Sequence, residues 1–405
     1  MTTDIRVLSD DSDLVAAANV FRAAMVGFRP LTGQDVGRIG KLVEPGRTLG
    51  AFVDGELVAT TDSAASTLTV PGGQRVSHAA VTHVGVLPSH TRRGIASDLM
   101  TNQLRALHAR HEVIATLRAS EATIYERFGY AVASTSQTVE VLTSRATLRP
   151  GVQRGGPVRL VGTAESWDVL PRIVEGTRSQ RPGTIGRPAV WWENQRLRAE
   201  GDPGPRYVAL HGEAGSETGF VRYHPVATEA WFTSAERTVV VDDLYAPTSE
   251  AYVGLVRFLL DLDLIDKLVF TSLPLDDPLP WLLTDRRAAR VTSARDETWL
   301  RVIDVAAALE ARRFSGDGPI VVSVEDPVLP HNSATFEISA GGVRRTESSA
   351  QLRVGVAALG ALLLGGVTWK ALALVGLVEV VDQDAPTAAD GIFGAWQAPH
   401  AGIYF

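Results

Sequence analysis

Cysteine is absent from the 405 residues. That removes disulfides, thiolate nucleophiles, iron–sulfur clusters and cysteine-ligated zinc together, and leaves the chain indifferent to redox compartment. The opening MTTDIRVLSDDSD lacks a basic region followed by an apolar one, so no export signal is read and a cytoplasmic location is expected. Long hydrophobic runs are scarce too. The most apolar stretch, Val354 to Trp369, is uncharged, but as a helix it spans roughly 24 Å and falls short of a ~30 Å bilayer core. It reads as one buried helix of a soluble domain, and no membrane partner is expected. A basic surplus is also missing: 39 Lys+Arg stand against 46 Asp+Glu, a net charge of −7. This argues against a nucleic-acid partner and mildly favours a cationic small substrate. The histidines show no metal-ligand spacing, so no metal is expected.

The composition itself is ordinary, with 45% hydrophobic and 21% charged residues, as in a chain that folds. At about 150 residues per domain, two or three domains are expected. The first begins with a strand around Ile5 and Val7. A helix follows, opened by Asp10 to Asp13, with Leu14, Ala17, Ala18, Phe21 and Met25 at helical spacing. The period then changes to two. In GAFVDGELVATT, Asp54-Gly55 makes a tight hairpin turn between Ala51–Val53 and Leu57–Ala59, and Pro71-Gly72-Gly73 makes a second turn. Four or so antiparallel strands thus precede the segment Leu87 to Ala96 and a helix with Ala96, Met100, Leu104 and Leu107 on one face. Next are expected a strand (Val113 to Leu117), a short helix opened by Ser120 and closed by Gly129, and a strand from Tyr130.

The plan repeats. YVALHGEAGSETGFVRYH is a hairpin like Ala51 to Thr61, TVVVDDLYAPTSEAYVGLVRFLL follows the register of HVGVLPSHTRRGIASDLM, and DKLVFTSLP with DDPLPWLLTD follows VIATLRAS with EATIYERF. This copy lacks the basic loop: TSEAYVG stands where the first copy has HTRRGIA. From Thr298, TWLRVIDVAAALEARR restarts as strand then helix, PIVVSVED and ATFEISAGG add strands, and the apolar helix follows. The chain therefore divides into residues 1–149, 150–292 and 293–405, all α+β. The terminus carries Trp396, Ile403, Tyr404 and Phe405, apolar for a free tail, and is expected to be packed.

The Leu87 to Ala96 segment is the distinctive chemistry. Helix-start N–H groups point outward with partial positive charge, so a helix entered through glycine seats an anion. Arg92 and Arg93 add charge for a diphosphate, and Gly94 lets the backbone approach closely. Nucleotide P-loops share the strand, glycine, cation and helix, but their GxxxxGK[ST] pattern is absent. The plain alternative is a surface loop with two solvated arginines. A strand that stops at Pro88 beside a diverging neighbour also exposes backbone groups to an extended amide-bearing ligand, and pantetheine is one.

Strand VTHVGV, loop Thr91-Arg92-Arg93-Gly94-Ile95-Ala96 and helix together resemble the GNAT acetyltransferases, whose loop pattern is [QR]xxGx[GA] and whose acyl donor is acetyl-CoA. Thr91 departs from the first position of the pattern. ASEATIYERFGY, DPLPWLLTDRRAARVTSARDETWLRVIDVAAALEAR and the aromatic C-terminal residue extend the likeness over nearly the whole chain to the Eis (enhanced intracellular survival) family of bacterial N-acetyltransferases. The resemblance implies two fused GNAT-like domains, the second degenerate, then a sterol-carrier-protein-like domain, in a homohexamer.

Acetyl transfer to an amine requires a deprotonated amine, a polarised carbonyl and a proton for the departing thiolate. The resemblance maps the general acid to Tyr125, which by itself reads as a core tyrosine beside Ile124 and Phe128. It maps the general base to the Phe405 carboxylate; a free carboxylate of pKa ~3.5 needs burial or a bridging water to act so. Val84, Gly85 and Val86 offer backbone partners for pantetheine, with the Val84 amide aimed at the thioester oxygen. Ser120 either contacts the donor or caps a helix. His83 faces the other side of the strand, as an acceptor-pocket wall, a proton relay or a core histidine. Family members of this type acetylate aminoglycosides with acidic pocket residues. Here Tyr404 stands where a carboxylate is expected, and FRAAMVGFRP has no acidic residue after Phe21, so polyamines and protein lysines stay open as acceptors. Competing readings are a lipid carrier, from the apolar LGALLLGGVTWKALALVGLV, and a non-catalytic coenzyme-binding protein.

Overall fold

The computed structural model describes residues 3–32, 36–177, 179–201, 204–316 and 318–404. Twelve strands in chain order build one large sheet: β1 (Asp4–Leu8), β2 (Thr48–Val53), β3 (Glu56–Thr69), β4 (Arg75–Val86), β5 (Ile114–Leu117), β6 (Ala131–Leu142), β7 (Val158–Val161), β8 (Tyr207–His211), β9 (Gly219–Pro225), β10 (Thr238–Tyr245), β11 (Lys267–Pro274) and β12 (Ala289–Val302). Their spatial order is β1-β2-β3-β4-β5-β12-β6-β11-β10-β9-β8-β7. The first four are antiparallel neighbours, as the alternating pattern requires. The β2–β3 turn is made by Asp54 and Gly55 at φ 51° and 82°, the two positive angles of a type I′ hairpin. The pairs β4–β5 and β10–β11 are parallel.

A second sheet holds β13 (Ile320–Glu325), β14 (Ala334–Ser339), β15 (Gly342–Arg345), β16 (Leu352–Gly355) and β17 (Val378–Val380), in the order β15-β14-β13-β16-β17. The architecture is α+β, with one large sheet built by two similarly ordered halves and a smaller sheet after it. Helix Asp11–Met25 covers one face of β3 and β4, and helix Ile95–Ala109 buries Leu99, Met100, Leu104 and Leu107 on the other.

Three expectations are corrected. The strand read as the opening of the third unit is β12, and it lies in the large sheet. It pairs antiparallel with β5 (Trp299↔Leu117 to Val302↔Ile114) and with β6, filling the gap between them. The cause is non-local: Trp299, Leu300 and Val302 are apolar enough to be buried in mid-sheet, and nothing local in the sequence names their partners.

The apolar stretch from Val354 is not one helix. Its first residues finish β16, Val356–Leu363 is helical, and Thr368 caps a separate helix Trp369–Leu374 by accepting from the Ala371 N–H at 3.1 Å. Gly365 at φ 80° breaks the run. The first helix packs against β6 and β12, and a Cβ on Gly360 would lie 2.9 Å from the Leu300 carbonyl, so the apolar face is spent on the core.

The segment EATIYERF is not a helix opened by Ser120. It is a run of turns leading to one 3-10 turn, Glu126–Phe128, with Ser120 exposed and making no cap bond. Gly129 does close it, at φ 84°, with its N–H donating to the Glu126 carbonyl at 2.8 Å. The terminal expectation divides. Ala401 and Ile403 are buried, whereas Trp396 stands fully in solvent and Tyr404 is mostly exposed; Phe405 lies outside the described residues.

Candidate active site

Parallel pairing of β4 with β5 covers only His78↔Ile114 to Ala80↔Thr116, while β4 continues to Val86. From Val81 onward the two strands part. The β3–β4 register slips between Thr60↔Gly85 and Asp62↔Thr82, a bulge at His83, whose φ is 52°. The bulge bends β4 away from β5, so the gap is built into the backbone. Val84 packs against the buried cluster that holds Met100, Leu104 and Tyr125, and Val86 against the one that holds Ile95 and Leu99, so both valines lie toward helix Ile95–Ala109. Gly85 lies on the opposite side, where a Cβ would come within 3.1 Å of Phe21 and Ala24. His83 is there too, its ring 4.9 Å edge-on from Phe21 and its Nδ1 3.5 Å from an Oδ of buried Asp62.

At the mouth of the gap Pro88–His90 makes one 3-10 turn, and the Thr91 hydroxyl donates to the Pro88 carbonyl at 3.2 Å. Arg92 at φ 62° and Gly94 at φ 84° then turn the chain into the helix. The first intrahelical bonds run from the Ser97 and Asp98 N–H groups to the Gly94 carbonyl at 2.9 and 3.1 Å, so the Ile95 and Ala96 N–H groups point out of the helix start. Thr91, Arg92, Arg93 and Gly94 are exposed, and a Cβ on Gly94 would meet nothing within 4 Å. The fit to a diphosphate therefore rests on an open cradle: outward N–H groups, two free guanidinium arms and clear space above the glycine.

Tyr125 is 5% exposed, its ring 6.1 Å from that of Tyr130. Burial, with Glu121 adding to it, pushes the phenol above its ordinary range, and the neighbouring Ser120 hydroxyl works the other way. Tyr125 thus keeps its proton at neutral pH. The structure brings Tyr125, Val84 and Ser120 to the β4–β5 gap and sets the Thr91 to Ala96 loop at its mouth.

The C-terminal segment arrives from the third unit, held by groups the sequence reading passed over. Arg118, the residue after β5, donates to the Ile403 carbonyl at 2.7 Å, and its guanidinium lies 4.4 Å over the Tyr404 ring. Trp191 Nε1 donates to the Tyr404 carbonyl at 2.7 Å, Arg187 to the Gly402 carbonyl at 3.0 Å, and the Ala401 N–H to buried Glu297 at 2.9 Å. Burial lowers the Arg118 guanidinium while Glu297 and Tyr404 oppose the shift. The local signal was thin: a lone arginine after an apolar strand and a glutamate within β12. Among the described residues no cluster of three or more His, Asp or Glu could hold a metal, and no helix is long and apolar enough to cross a membrane.

Comparison with known proteins agrees with this geometry. Family models described as acetyltransferase (GNAT) domains match residues 4–133 and 183–302, and a sterol carrier protein domain matches 305–402. The chain is 34% identical to an uncharacterised N-acetyltransferase of Streptomyces coelicolor, over 98% of each chain. It is 32% identical to N-acetyltransferase Eis of Mycobacterium tuberculosis, over 81% of each. The crystal structure of Eis1 from Mycobacterium abscessus superposes with a TM-score of 0.93 at 46% identity, covering all of both chains. With its parted β4 and β5, its glycine-turned basic loop and its repeated plan, the chain belongs to the Eis family of N-acetyltransferases.

Proposed function

We propose that the protein transfers the acetyl group of acetyl-CoA to a primary amine by direct attack, without a metal, with Tyr125 as general acid and the Phe405 carboxylate as general base. The observation that carries this reading is the parting of β4 from β5 beyond Ala80↔Thr116, with buried Tyr125 beside it and the Thr91 to Ala96 loop at its mouth. The donor supplies the activated acetyl group. The Ile95 and Ala96 N–H groups with Arg92 and Arg93 hold its diphosphate, and Val84 to Val86 offer the strand edge to its amide-bearing arm. The Val84 N–H polarises the thioester carbonyl, and the Tyr125 hydroxyl supplies the proton for the departing sulfur. Ser120 stands beside that hydroxyl. The clamp on Gly402 to Tyr404 supports a base at the next residue, acting through water on the ammonium of the acceptor.

Aminoglycosides, polyamines and protein lysines are the acceptor classes considered, with Tyr404 and His83 in the acceptor pocket. One observation favours a second route for the proton: His83 is half-exposed with the Asp62 carboxylate 3.5 Å from Nδ1, an arrangement suited to relaying a proton from the amine. Residues 1–149 are the catalytic unit in this reading, with 150–292 and 293–405 as support, in a cytoplasmic homohexamer whose mass sedimentation would report. Coenzyme release is to be measured across a panel of aminoglycosides, polyamines and lysine peptides. Turnover on at least one class is expected. Acetyl-CoA binding with no turnover on any class would leave a coenzyme-binding protein in place of an enzyme.

A further inference from the structure

The middle unit repeats the parted strands. Parallel pairing of β10 with β11 ends at Val241↔Phe270, although the strands continue to Tyr245 and Pro274. The gap opens into a cleft of about 1120 Å³, walled on one side by His400 to Tyr404. Tyr404 is shared with the acceptor pocket proposed above, but none of the residues proposed to hold the donor lines this cleft.

Arg222 on β9 lines this cleft at 8% exposure. Its guanidinium lies 4.7 Å over the Trp167 ring, and among the described residues it makes no hydrogen bond and no ion pair. The charges around it are already engaged. Arg187 holds Asp243 through bonds of 2.6 and 3.0 Å, while Asp242 takes His224 at 2.8 Å and Arg206 at 3.4 Å. Arg222 is thus a buried guanidinium whose neighbouring aspartates, Asp242 and Asp243, are held by other side chains. Buried charged groups are nearly always hydrogen-bonded, because the lost hydration is otherwise uncompensated.

We infer that this cleft is a second binding site, for a small ligand whose single negative oxyanion, a carboxylate or a phosphate monoester, sits on Arg222 while an amide-bearing chain runs between β10 and β11. The guanidinium fork matches two oxygens of such a group, and the parted strands offer backbone partners to the chain. A diphosphate-bearing donor is not the occupant, because the loop opening helix Ser249–Leu260 reads Thr248-Ser249-Glu250, with a carboxylate where the first unit has arginines. Burial lowers the Arg222 guanidinium, Asp243 and Asp242 oppose the shift and Arg187 and Arg206 add to it, so a bound anion would offset a charge that the protein leaves uncompensated.

The test is titration of the full chain with sodium N-acetylglycinate and, separately, methyl phosphate, followed by tryptophan fluorescence, since Trp167 lies under Arg222 and Trp191 lines the cleft. Saturable binding of at least one probe is expected. It should weaken about tenfold or more in Arg222→Met, which keeps the packing on Trp167, and persist in Arg222→Lys. Coenzyme A affinity should be unchanged in both variants. Preference for N-acetylglycinate identifies a carboxylate ligand, and preference for methyl phosphate a phosphate ester. Neutral N-acetylglycinamide supplies a test that needs no variant: it must bind the unaltered protein far more weakly than the acid. Equal binding of acid and amide, binding undiminished in Arg222→Met, or no saturable binding of either probe would overturn the inference.

Discussion

Tyr125 shows how one position acquires chemical character from its surroundings. Burial in the cluster beneath helix Ile95–Ala109 and the nearby Glu121 carboxylate both disfavour the phenolate, so the side chain keeps its proton at neutral pH and above. In the proposed mechanism that proton goes to the departing thiolate. Tyr125→Phe is therefore expected to leave donor affinity unchanged and to lower turnover ~10²- to 10⁴-fold, read from coenzyme release and from equilibrium binding. Unchanged turnover would remove the acid role. Both the residue and its burial were legible in the motif, but its distant companions were not, because the cluster that encloses it draws Val81, Met100 and Trp299 from other parts of the chain.

Two glycines with the same backbone angle differ in what surrounds them. Gly94 and Gly129 both sit at φ 84°, yet a Cβ on Gly94 meets open space while one on Gly129 would lie 2.8 Å from Arg301 Nε and from Val356 Cγ1. Arg301 cannot yield easily, since it is fully buried and holds Asp326 at 2.7 and 2.8 Å. Gly94→Ala should cost roughly 1–2 kcal/mol from backbone strain alone, and it should weaken donor binding by displacing the loop. Gly129→Ala should add a further ~1–3 kcal/mol of overpacking. Denaturant midpoints of the two variants, with coenzyme A affinities, check the order.

Strand β4 carries a second consequence at this scale. His78 is fully buried, Nε2 lies 2.7 Å from the Thr116 hydroxyl on β5, and burial, then Arg47, pushes the imidazole down to about 3. Unfolded, it titrates near its ordinary 6.5. Below that value the unfolded chain binds a proton that the native chain does not, so the contribution of His78 is full above about 6.5 and is lost as pH falls toward about 3. Stability should decline over this window, and His78→Gln should flatten the slope, measured by denaturant unfolding across mildly acidic pH.

Across the whole molecule the C-terminal segment joins all three units, since Arg118, then Arg187 with Trp191, and Glu297 hold it from three separate places in the chain. Extending the chain past Phe405 should depress turnover while leaving donor affinity intact, if the terminal carboxylate is the base. His83→Phe should then have a smaller effect. The reverse pattern would move the base role to His83 and Asp62. Steady-state rates of the two forms, with donor binding as control, decide between the routes.

The amino-acid order alone determined the local pieces. Alternating residues and Asp54-Gly55 specified the first hairpin, the stretch from Leu14 to Met25 its helix, Gly94 the turn into the next, and the repeated plan the duplication. These are short-range matters of steric preference and apolar period, carried by neighbouring residues. The placement of β12 between β5 and β6, the parting of β10 from β11, the docking of the tail on Arg118 and the burial of the Arg222 guanidinium away from any carboxylate that holds it were decided only in the tertiary structure. Each depends on hydrogen bonds or charges brought together from distant stretches of chain, and no local pattern encodes which distant partner wins.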